Sequence, residues 1–275
     1  MVAISPADEQ ISHIPTRLGA LHVRSVGSGY PTVLWHSMFI DSHTWDLVVP
    51  RLLDLDRQYF LVDGPGLGLS EPLRRPSDIA TAAEAAVDLL AGLGIDDPVD
   101  WVGNAFGGHV GFKLARDPSV LRSLVAMSSP TDPIADALRR RIAVLRPLLR
   151  TFGVVGPVRA AILDALLTEA SQADTDILDI VLNGLGRPSR ASMSMALESF
   201  ILKRLDVNAE MADIQIPSLF VATDDRGDWI PADAARAASL APTAQLEMVA
   251  GSRTLIPLEQ PEAAASLLKG FWSGL

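Results

Sequence analysis

The chain has 275 residues, a formal net charge of −10, 48% hydrophobic residues and no cysteine. That length and apolar content suffice for one large domain with a buried core, and they exclude a disordered chain. The acidic balance excludes general nucleic-acid binding, and the missing thiols exclude disulfides, thiolate metal sites and cysteine catalysis. No stretch approaches eighteen uninterrupted apolar residues, and the opening MVAISPADEQ lacks a basic region followed by an apolar run. A cytoplasmic protein without membrane contact is therefore expected.

After this polar leader, Thr16 to Val26 reads as an antiparallel hairpin at a sheet edge, broken at Gly19. Thr32 to Trp35 is a short apolar run ending at His36-Ser37, the pattern of a buried strand. Ser42 to Leu53 reads as a helix with Trp45, Val48, Val49 and Leu52 on one face, which Pro50 bends or divides. Gln58 to Val62 is the next buried strand and runs into the glycine-rich turn Asp63 to Ser70. Ser77 or Asp78 caps a helix that reaches about Leu93. Then comes VDWVGNAFGGHVG, Val99 to Gly111: a buried strand, a turn crowded with glycine, and a helix. A further strand follows at Ser123 to Met127. Strands alternating with helices at this rhythm predict a parallel sheet covered on both faces.

From Thr131 to about Asp213 the rhythm breaks into successive amphipathic helices with no convincing strand. Leu138, Ile142, Leu145 and Leu149 form one stripe, with Arg139, Arg140, Arg141, Arg146 and Arg150 around it. Those arginines read either as a solvated face or as an anion-attracting rim. The sheet resumes with Ser218 to Ala222, a helix near Ala232 to Leu240, a strand at Gln245 to Val249 and a closing helix from Pro261 to Phe271. Residues 1–130 and 214–275 are thus two parts of one α/β core, and residues 131–213 are a helical lid set between them.

Several of these stretches fall in the order of one family. Gly103-Asn104-Ala105-Phe106-Gly107 stands where a G-x-S-x-G elbow would stand, between strand and helix. His36-Ser37-Met38-Phe39 is similar to a His-Gly-x-x loop, Asp63 to Ser70 to a D-x-P-G-x-G-x-S turn, and Gly251 to Glu262 to the stretch around a catalytic histidine. From about Leu18 to its end the chain resembles the α/β-hydrolase superfamily, whose mostly parallel, doubly wound sheet carries a helical lid insertion. The resemblance implies oxyanion N–H groups at Met38 and Phe106, with Ser37 in the place of the usual glycine. It implies an acid at Asp225, with Asp228 the second choice, and it puts Ala105 in the nucleophile's place and Thr254 in the histidine's. No histidine follows His109. Two triad members are therefore missing, and haloalkane dehalogenase or epoxide hydrolase chemistry fails as well, because both need a carboxylate at the elbow tip.

Among the other polar residues, His13 and His22 are expected at the surface, and His43 near a helix start and exposed. His36, at the end of a core strand, either holds its loop by hydrogen bonds or transfers protons. His109 lies one helical turn below the elbow tip and is expected to pack beside the sheet. Trp229, beside the acid loop, is expected to face the pocket. Asp224, Asp225 and Asp228 lack calcium-loop spacing, and Gly64 to Gly68 lacks the lysine of a phosphate loop, so neither metal nor cofactor is expected. The expected site has Asp225 and His36 as catalytic groups. Ser37, Met38, Phe39, Ala105, Phe106, Trp229 and Thr254 surround a small hydrophobic organic molecule. The chemistry is read as non-hydrolytic (lyase, isomerase, cyclase or cofactor-free), with a ligand-binding pseudo-hydrolase or an inactivated ester or C–C bond hydrolase as alternatives.

Overall fold

A computed structural model describes residues 9–225, 227 and 229–275. Eight strands form one sheet: β1 (Gln10–Thr16), β2 (Gly19–Gly27), β3 (Tyr30–Trp35), β4 (Arg57–Val62), β5 (Val99–Asn104), β6 (Leu121–Met127), β7 (Ser218–Thr223) and β8 (Ala244–Val249). Their order across the sheet is β1-β2-β4-β3-β5-β6-β7-β8. Only β2 pairs antiparallel with its neighbours, β1 and β4; every other pairing is parallel. The polar leader of the sequence reading is in part a strand. β1 begins at Gln10 and alternates exposed with half-buried residues, as an edge strand does.

The two-residue period of a strand sends neighbouring side chains to opposite faces. Val33 and Trp35 join one core, with α1 (Ile79–Gly92), α2 (Phe106–Leu114) and α8 (Pro231–Leu240) packed over it. Leu34 joins the other, beneath α10 (Pro261–Ser273) and the segment around Trp45 and Leu52. The helix expected over Ser42 to Leu53 is two short 3-10 turns, Ser42–Trp45 and Val49–Arg51. Pro50 has no N–H to donate to Asp46 and so interrupts the α pattern. The apolar face survives this change, with Trp45, Val48, Val49 and Leu52 all fully buried.

Between β6 and β7 the chain is helical: α3 (Asp136–Phe152), α4 (Gly156–Leu166), α5 (Glu169–Ala173), α6 (Thr175–Gly186) and α7 (Arg190–Leu197). A π turn over Glu198–Leu202 continues α7, and a 3-10 turn over Asn208–Asp213 leads back to the sheet. This insertion has its own apolar core, centred on Ile162, Leu166, Val181 and Leu197, which rests on Ile40, Leu255 and Leu258 of the sheet domain. It therefore roofs the ends of β3 and β5, where the conspicuous loops emerge. Leu255 caps, and Leu258 lies within, a single turn, α9 (Ile256–Glu259).

Candidate functional site

Ala105 is the hinge of the β5–α2 junction, with φ 46° and ψ −100°. An L-residue pays about 1–2 kcal/mol for such a backbone. The surroundings hold it there: the Ala105 N–H donates to Met127 O at 2.8 Å. A Cβ on Gly103 would collide with the Gly107 backbone, one on Gly107 with Trp35 O, and one on Gly108 with the Ser129 side chain. Strand, turn and helix therefore meet only because these three residues are glycine. Phe106 opens α2, so its N–H has no acceptor within the helix and lies at the positive end of the helix dipole. Met38 is buried beside it, in a loop tied down by the Gly107 N–H donating to His36 O at 3.2 Å. The left-handed residue of that loop is Phe39 (φ 68°) and not Ser37, so a side chain at the usual glycine position brings no backbone strain.

Ser37, Met38, Phe39, Ala105, Phe106 and Thr254 line one cavity of about 170 Å³, the size that holds a single aromatic ring. Leu138, Ile142, Leu145 and Leu149 of α3 form another wall, so the whole predicted stripe faces this space. Arg141 and Arg146 border it as well, paired with Asp164 and Glu198, and Arg139, Arg140, Arg141 and Arg150 are all exposed.

Thr254 is half-buried and stitched in place. Its Oγ1 donates to Ala165 O at 2.9 Å and its N–H to Leu166 O at 3.2 Å, while its carbonyl accepts from Asn104 Nδ2 at 2.8 Å. It connects the roof to the residue just before the elbow.

Three expected site residues sit elsewhere. His36 is fully buried, with Nε2 accepting from the Gly64 N–H at 2.8 Å and Nδ1 donating to Ser37 O at 2.5 Å. Burial pushes its pKa below the ordinary histidine range. Both nitrogens are spent on the backbone, so the catalytic reading of His36 is replaced by that of a loop brace. Trp229 is buried, packs against Phe220 at 5.7 Å, and is not among the cavity-lining residues. Asp225 likewise lies off the cavity wall, its Oδ2 2.9 Å from Arg253 Nε. Arg253 is itself buried, and its Nη1 donates to Asp164 O in α4 at 2.5 Å. The acid expected to act directly is thus half of an ion pair that clamps the roof. Asp228 lies outside the described residues. Asp224 accepts from the Gly251 N–H at 2.9 Å, so the described carboxylates of that cluster serve separate partners. Among the described residues no three potential metal ligands come together.

The glycine-rich turn has a structural centre in Asp63, which is fully buried. Burial alone would raise its pKa, but it is held well below the carboxylate range by His22 Nδ1 at 3.0 Å, by nearby His36, and by the Leu69 and Ser42 N–H groups at 2.8 Å. His22, expected at the surface, is thereby buried as the partner of Asp63, whereas His13 beside it is exposed. His43 is half-buried against Asp41 at 2.8 Å.

Sequence reasoning missed His109 as a wall residue, although its position four residues after Ala105 puts both on one helix face. It lines the cavity together with Arg204 and Ser128.

The alpha/beta hydrolase family matches residues 32–267. A protein named pimeloyl-[acyl-carrier protein] methyl ester esterase, from Xanthomonas oryzae, is 28% identical over 243 residues, covering 84% of this chain and 90% of its own. The solved structure of a thermophilic esterase from Thermogutta terrifontis superposes with a TM-score of 0.85 at 20% identity, over 96% of this chain and 98% of its own. An enol-lactonase from Burkholderia xenovorans superposes at 0.86 with 19% identity, over 95% and 100%. At such identities these two structures establish the fold.

Proposed function

The chain belongs to the alpha/beta hydrolase family, and on that footing we propose that it is a divergent member that has given up Ser–His–acid hydrolysis. Its cavity takes a small, mostly apolar organic molecule beneath the helical insertion, which serves as a lid. The Met38 and Phe106 N–H groups remain available to a developing oxyanion, so the reaction it supports is non-hydrolytic: a lyase, isomerase, cyclase or cofactor-free step. The observation that carries this reading is Ala105, a methyl group held at φ 46° on the cavity wall. The strained backbone that serves a nucleophile is kept where no nucleophile stands. Thr254 supports it, because its hydroxyl is engaged with the roof and offers no base.

A second reading, an ester hydrolase silenced at two positions, is favoured by the name of the Xanthomonas relative. One experiment addresses both. The protein as it stands is expected to resist fluorophosphonate labelling and to show no turnover of short-chain aryl esters; stoichiometric labelling at any serine would sink the proposal. Ala105→Ser and Thr254→His are then made singly and together. Each single change should do little, since a serine without a base and a base without a nucleophile are both idle. A gain of about tenfold or more confined to the double variant would favour the silenced hydrolase. A folded double variant with no gain would favour divergence.

A further inference from the structure

His109 is 5% exposed and lines the cavity beside Ala105. Its Nε2 lies 2.9 Å from Pro130 O, and a carbonyl oxygen can only accept, so Nε2 carries the hydrogen. Its Nδ1 is buried and meets no hydrogen-bond donor among the described residues. A second and smaller cavity, of about 100 Å³, lies on the other side of the same wall, and His109 and Arg204 line both. Burial first, and the nearby Arg204 charge second, bring the imidazole's pKa down to about 3. The ring is therefore neutral at ordinary pH, and its Nδ1 carries a lone pair without a partner among the described residues.

Such a lone pair is too weakly basic to be an effective proton acceptor in catalysis, whose best pKa lies near the working pH. It is well suited to receive a hydrogen bond. Leaving a buried acceptor unmatched costs about 1–3 kcal/mol, so the wall discriminates in favour of a molecule that supplies a donor. We propose that His109 Nδ1 receives the hydroxyl of the cavity's occupant, and hence that the occupant is an apolar molecule bearing an O–H donor. The His109 N–H donates to Ala105 O at 3.0 Å, which places the imidazole one helical turn from the elbow tip. The hydroxyl is then held roughly 6 Å along the helix axis from the atom that faces the oxyanion N–H groups. The inference rests on the pocket reading above and names the chemistry of its ligand.

Phenol and toluene test it, because they have nearly the same shape and differ in the hydroxyl. A purely apolar cavity prefers toluene, since phenol would lose its water partners for nothing. Titration calorimetry on the whole chain should find phenol bound at least as tightly as toluene. In His109→Leu the phenol-to-toluene affinity ratio should fall by about tenfold or more. His109→Asn, which keeps an acceptor near the Nδ1 position, should stay close to the unaltered chain. Nitrogen-15 NMR of the unaltered protein, independent of any variant's folding, should show the His109 Nδ1 resonance moving with phenol and not with toluene. An unchanged ratio in His109→Leu, or phenol displacing toluene while Nδ1 stays still, overturns the inference and leaves the pocket reading intact. Failure of both phenol and toluene to bind overturns the pocket reading, and the inference with it.

Discussion

Ala105 carries a backbone that alanine disfavours, and nothing in its side chain repays the cost. At an ordinary position alanine to glycine destabilises, because the unfolded chain gains freedom. Here glycine also relieves the strain of a positive φ. Ala105→Gly is therefore expected to leave stability unchanged or to raise it by up to about 1 kcal/mol, read from the urea midpoint at constant slope. A loss of more than about 1 kcal/mol would mean that the methyl group contributes packing that outweighs the strain. The histidines show why residue type alone misplaces function. His36 stands at the end of a core strand, where proton transfer is plausible, and its nitrogens are consumed by Gly64 and Ser37. His109 sits within a glycine-rich helix start, lines the cavity and keeps a buried nitrogen without a hydrogen-bond partner among the described residues. Ring orientation depends on tertiary partners far away in the chain, and no local pattern records it.

At the scale of elements, the parallel strands were the most legible part. Runs such as Val33–Trp35 and Phe60–Val62 are buried on both faces and so read as continuous apolar segments. The segment Ser42–Leu53 was legible in its buried face and not in its geometry, because Pro50 allows only short turns while preserving the spacing of Trp45 and Val49. The attachment of the roof was not legible at all. Arg253 binds Asp225 and the α4 carbonyl of Asp164, Thr254 binds the next two α4 carbonyls, and Glu259 accepts from the Thr168 N–H at 2.8 Å. A seven-residue stretch thus fastens one end of the insertion. Arg253→Leu should therefore loosen α4 selectively, with hydrogen exchange there rising about tenfold while exchange in β5 and β6 stays constant. Equal acceleration in helix and sheet would assign Arg253 to global stability instead.

The whole molecule is expected to lose stability towards acid, and the sign follows from groups kept uncharged or fully ionised by the fold. Unfolded, His109 takes a proton near pH 6.5; folded, it does so only near 3. Between these values the unfolded state binds the extra proton, so by pH 4.5 this one group removes on the order of 2–3 kcal/mol. His36, also lowered by burial, acts in the same direction. Asp63 follows at lower pH: its contribution is complete above its unfolded value near 4 and is lost as pH falls towards its depressed folded value. Asp46 opposes them, since burial raises its pKa. The melting temperature should fall steadily from pH 7 to 4, and the slope above pH 4.5 should be shallower in His109→Leu. A flat profile in the unaltered protein would contradict a neutral, buried His109.

The pairing of β6 with β7 has a consequence in time. Their register, Leu124 with Ser218 through Met127 with Val221, joins strands separated by about 90 residues of helical insertion. As the chain leaves the ribosome at roughly 5–20 residues per second, β6 waits several seconds for its neighbour. During that interval the apolar Leu121–Met127 is the open rim of a growing sheet, able to capture a strand from another nascent chain. Closing so long a loop also makes this pairing a late step on refolding. The roof over the cavity therefore also sets the interval in which the protein is most exposed to misassembly, and the yield of refolding should decline as the chain is made more concentrated.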